Sequence, residues 1–112
     1  MKPASIRAVR RGERRKNILD KVITAAVNLG EAIALQKHNQ ERRQQLSYLS
    51  WHLRQESNRQ IPVDAKRLTR GHLKTVLRDL QYLDRDRRLL AGKATRFRDM
   101  IKEASVRLLK DL

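Results

Sequence analysis

The chain has 112 residues, is 39% hydrophobic but only 4% aromatic, and carries 27 Lys and Arg against 12 Asp and Glu, a formal net charge of +15. A chain of this length makes one domain with a modest core, and a core poor in aromatics is built from Leu, Ile, Val and Ala, which suits packed helices better than a sheet. Cysteine is absent, which excludes disulfides and thiolate metal sites and fits a reducing, cytoplasmic setting, while the longest apolar stretch, Val22 to Leu35, is broken by Thr24, Asn28, Gly30 and Glu31 and is too short and polar to span a bilayer.

The first element is a basic arm over residues 1–16. It holds seven basic residues and one acid, and Arg7, Arg10, Arg11, Arg14, Arg15 and Lys16 crowd residues 7–16. On a helix the five arginines fall within an arc of about 140°. Arginine forms bidentate pairs with phosphate, and arginine-rich segments often fold on binding RNA.

A first helix is expected over much of residues 5–36, with Ile18, Val22, Ala26, Leu29 and Ile33 along one face and Leu19, Ile23 and Val27 widening it. Gly12 and Gly30 are weak points in it. A second helix is expected from about 39 to 58, with Asn39 as its N-cap and a narrow stripe of Leu46, Leu49 and Leu53. Trp51 lies off that stripe and reads best as a partly buried residue closing the bundle. Pro62 disfavours helix at Ile61 and marks the one clear break.

Beyond it, Thr69 is the expected N-cap of a third helix carrying Leu73, Val76, Leu77, Leu80 and Leu83 on one face. A last helix with Leu90, Ala94, Phe97, Ile101, Ala104 and Leu108 follows a turn at Asp84 to Asp86 or a break at Gly92. The expected fold is all-α: a small bundle of four or five helices, with the basic arm at 1–16 and a single helical domain over 17–112.

The charge is uneven. Residues 17–65 carry net +1, whereas 66–112 carry net +8 and the arm net +6. Charge gathered at both ends points to a binding face rather than an even solubilising coat. Arg67, Arg70, Lys74 and Arg78 recur at three- and four-residue steps, about a third of a turn round the helix from the apolar stripe. Lys93 and Arg96 have no acid within one turn before them, whereas Asp99 with Lys102 and Glu103 with Arg107 are spaced for local pairing. The expected ligand is nucleic acid, with a slight lean to DNA, gripped through phosphates by the arm from Arg7 to Lys16, the Arg67–Arg78 ridge, Lys93 and Arg96.

No catalytic constellation is present. His38, His52 and His72 are scattered without metal-ligand spacing, no glycine-rich phosphate loop occurs, and Asp79, Asp84 and Asp86 sit among arginines that suit salt bridges. The expectation is a protein that is not an enzyme and uses no cofactor or metal. Its partners would be DNA or RNA rather than a membrane. Protein partners or self-association would come through the Leu46–Leu49–Leu53 helix or through Leu83, Leu89 and Leu90.

Short segments resemble known families. Leu68-Thr69-Arg70-Gly71-His72-Leu73 and Lys93-Ala94-Thr95-Arg96-Phe97-Arg98 resemble helix starts in the core-binding domain of phage tyrosine recombinases, without that family's catalytic Arg, His and Tyr motifs. Arg10-Arg11-Gly12-Glu13-Arg14-Arg15 resembles the arginine-rich motif of phage antitermination proteins. In size, charge and helicity the chain is similar to the small helical subunit of multi-subunit CRISPR effector complexes. That likeness implies the alternative role of a subunit that meets nucleic acid only inside a nucleoprotein assembly.

Overall fold

The computed structural model describes residues 3–111, with side-chain environments from Ile6 onward. Two helices account for nearly all of it. Helix α1 runs Pro3–Ser57 over 55 residues, and α2 runs Val63–Asp111 over 49. The all-α expectation holds. The bundle of four or five helices does not, because the breaks expected at residues 36–39, at Asp84 to Asp86 and at Gly92 are all continuous helix.

The reason lies in the burial pattern. Along α1 the covered seam is Arg15, Ile18, Val22, Ala25, Leu29, Ala32, Gln36, Asn39, Arg43, Leu46, Ser50, Leu53 and Ser57, with Asn28 half-covered beside it. Along α2, Lys66, Thr69, Leu73, Val76, Leu80 and Leu83 continue, past exposed Arg87, to Leu90, Ala94, Phe97, Ile101, Ala104 and Leu108. Both series step by three and four residues in strict alternation, the 3.5-residue repeat of a coiled-coil seam. A seam that never changes period gives a helix no place to stop.

Local chemistry follows the seam. Asn39 caps nothing: it is buried in the middle of α1, and its Nδ2 donates to the Leu83 carbonyl at 2.8 Å. Thr69 lies inside α2, where its hydroxyl donates back to the Ala65 carbonyl at 2.9 Å. The Pro62 break is real. Its carbonyl accepts the Lys66 amide at 3.0 Å, which makes it the residue from which α2 starts, and Asp64 supplies an acid to the first turn.

The chain divides into two compact units. Unit 2, Ala34–Ala91, is a helical hairpin closed by residues 58–62. Its seam contains a polar group: Arg43 donates through Nε to Asn39 Oδ1 at 2.9 Å while Asn39 reaches Leu83. Unit 1, Met1–Ile33 with Gly92–Leu112, pairs the start of α1 with the end of α2 around Ala25, Ala94 and Ala104. Arg15 fixes that pairing, since its Nη2 donates to the Asp111 carbonyl at 2.6 Å. The guanidinium gives that carbonyl a charge-assisted hydrogen bond between the two helices.

Candidate nucleic-acid interface

The ridge on α2 is the most complete of the expected basic features. Arg67, Arg70, Lys74 and Arg78 are all exposed, and none joins an ion pair among the described residues. The seam through Leu73, Val76 and Leu80 turns the opposite side of α2 inward, and this fixes the ridge outward. From Arg67 to Arg78 the ridge spans about 16 Å of helix, close to the rise of five phosphates along one strand of B-DNA. An open groove lies along its first part, lined by Val63, Lys66, Arg67, Arg70, Gly71 and Lys74. Gly71 keeps the groove shallow, with free space where a side chain would stand. Lys66 belongs to this group and was missed in the sequence, although it directly precedes the ridge.

The arm is helical from Pro3 and passes through Gly12 without a break; residues 1 and 2 lie outside the described residues. Arg7, Arg10, Arg11, Arg14 and Lys16 are exposed, whereas Arg15 turns inward to Asp111 and leaves the basic face. The first turn of α1 holds no acid, and Arg7, Arg10, Arg11 and Arg14 follow it. Clustered cations of this kind favour an anion. Lys93 and Arg96 are exposed on α2 within unit 1 and free of carboxylates among the described residues.

Other basic residues are occupied. Arg87 donates to Asp84 Oδ1 at 2.9 Å, Arg88 approaches Asp84 Oδ2 at 3.1 Å, and Arg59 pairs with Glu56 at 3.3 Å. The spacings at Asp99–Lys102 and Glu103–Arg107 do not form pairs. The hydrogen bond from Arg87 holds the Asp84 carboxyl below its ordinary value, outweighing the desolvation that opposes it, with the charges of Arg87, Arg88 and Arg43 adding to the lowering. Asp84 is thus the centre of an ion-pair cluster rather than a turn residue.

The aromatic residues depart from expectation. Trp51 is 56% exposed and Tyr48 68%, so Trp51 does not close a core. Both rings meet His52 edge-on, with centroids at 5.0 Å and 4.3 Å. A two-helix pairing has no third helix to cover them.

Among the described residues there is no group of three or more His, Cys, Asp or Glu able to hold a metal ion. No described helix is long and apolar enough to cross a membrane. No protein family, curated protein or solved structure matches the chain.

Proposed function

We propose that the protein binds nucleic acid through its phosphate backbone, with the α2 ridge as the principal grip. One observation carries this reading: four exposed cations stand in line on one helix face, beside an open groove, with no carboxylate paired to them among the described residues. Phosphate contacts of this kind position a protein without reading sequence. The arm residues Arg7, Arg10, Arg11, Arg14 and Lys16, and separately Lys93 and Arg96, add contacts of the same type. Double-stranded DNA is the preferred ligand, the protein is not an enzyme, and the cytoplasm is the compartment this reading assumes.

The test is a salt titration of binding to a labelled duplex and to a single strand. Each lost phosphate contact lowers the log–log salt slope by about 0.9 for B-DNA and about 0.7 for a single strand. Replacing Arg70 and Lys74 together with Ala should flatten the duplex slope by about 1.8. Over a fourfold change in salt that is roughly a twelvefold difference in how fast affinity falls. An unchanged slope removes the ridge from the interface.

A second reading is a subunit that meets nucleic acid only within a larger assembly. The apolar groove lined by Leu49, Leu53, His72, Thr75 and Val76 supports it as a place for a protein partner. Duplex binding by the purified chain alone would decide for the first reading.

A further inference from the structure

Helix α2 runs unbroken through residues 84–86, so the positions beyond them keep the register of the seam. In a 3.5-residue repeat, residues fourteen apart return to the same side of the helix, about 21 Å further along it. The groove beside the ridge repeats on that spacing. A second open groove is lined by Leu77, Leu80, Gln81, Asp84, Arg85 and Arg88, each fourteen positions after a residue lining the first. Arg88 is thus the counterpart of Lys74, and Arg78 stands between the two grooves. All of these residues belong to unit 2.

We infer that the phosphate-binding face of α2 continues from the ridge into a second anion site made by Arg85 and Arg88, where the Asp84 carboxylate holds the place that a phosphate takes. This rests on the reading of the ridge as a phosphate grip and extends it. From Arg67 to Arg88 the face spans about 32 Å of helix, near one full turn of B-DNA, against about 16 Å for the ridge alone. Its members step by three and four residues through Arg67, Arg70, Lys74, Arg78, Gln81, Arg85 and Arg88. Gln81, the uncharged member, is exposed and offers an amide that also donates to phosphate.

Two observations carry the second site. Arg85 is exposed, joins no ion pair among the described residues, and holds its guanidinium over the Tyr82 ring at 5.9 Å. A guanidinium on an aromatic face keeps its N–H edge for a phosphate. Arg88 already meets an anion: its Nη2 lies 3.1 Å from Asp84 Oδ2, with Arg87 on Oδ1 at 2.9 Å. The Arg88 side chain is 73% exposed and that of Asp84 40%. A pair so open to water is weak, and a polyphosphate that meets Arg85 and Arg88 together displaces it. Of the three acids between Arg67 and Arg88, Asp84 alone lines the groove.

The test is a salt titration of duplex binding with the full chain. Arg85→Ala with Arg88→Ala should flatten the log–log slope by about 1.8, as much as Arg70→Ala with Lys74→Ala. Asp84→Asn should tighten binding by about three- to fivefold, because no ion pair has to be broken. Asp86→Asn makes the same change in charge two residues away, at an exposed position off the groove, and should tighten binding by less than about twofold. Arg85 and Arg88 are exposed and alanine favours helix, so helical circular dichroism should be retained. Should Asp84→Asn lose helicity, the slope of the double-alanine variant decides alone. An unchanged slope for Arg85→Ala with Arg88→Ala, beside a flattened one for Arg70→Ala with Lys74→Ala, ends the face at Arg78 and overturns this inference while the ridge stands. Equal gains from Asp84→Asn and Asp86→Asn overturn the role of Asp84. If neither alanine pair moves the slope, the reading of the ridge itself fails.

Discussion

The Asn39 side chain ties α1 to α2, and removing it should cost more than a surface change. The residue is 4% exposed; it donates to the Leu83 carbonyl at 2.8 Å and accepts from Arg43 Nε at 2.9 Å. A net hydrogen bond contributes about 1 kcal/mol and one to a charged group about 1.5–3 kcal/mol. Arg43 is half-buried, so the lower figure applies, and Asn39→Ala loses about 2.5 kcal/mol gross. Alanine returns about 0.5 kcal/mol in helix propensity, for a net loss of about 2 kcal/mol. With a urea dependence of about 1.5 kcal/mol per molar, the unfolding midpoint should fall by roughly 1.3 M. The assay is urea unfolding followed at the helical circular dichroism band, at one fixed protein concentration because self-association would shift the midpoint. Asn39→Leu separates stability from register. Its burial restores about 2 kcal/mol, but the polar marker is gone, so stability should recover while backbone amide spectra show more than one pairing. A midpoint shift below about 0.3 M for Asn39→Ala would refute the view that this group holds the seam.

Two further predictions concern the helices themselves. Gly92 is exposed inside α2 with open space around its Cα, so Gly92→Ala should stabilise the protein by about 1 kcal/mol and raise the thermal midpoint by roughly 4 °C; a fall in midpoint would mean that a break there is wanted. Asp84 has a folded pKa below its ordinary 3.8, so its pairing with Arg87 and Arg88 stabilises above that value and is lost as pH falls through the lower folded one. The stability difference between wild type and Asp84→Asn should therefore be constant at neutral and mildly acidic pH and shrink below 3.8; a gap that persists in strong acid would contradict the assignment.

Helix type and the Pro62 break are legible in the sequence because both are local: the apolar spacing rejects strands, and the residue before proline cannot stay helical. Helix length is not. Asn39 and Thr69 have the chemistry of caps, and Asp84 to Asp86 that of a turn, but each falls inside a seam repeat that tertiary pairing sustains. The repeat is hidden where its members are polar, at Gln36, Asn39 and Arg43, and where a second apolar line runs beside it. A stripe of Ile18, Val22, Ala26, Leu29 and Ile33 mixes members of both lines. The α2 ridge was readable because the apolar face beside it fixes its direction. Arg15 was not, since its inward turn depends on which residue of α2 lies opposite it, a fact no spacing within the arm contains. Trp51 was misjudged for the same reason as the fold: four helices would cover it and two do not.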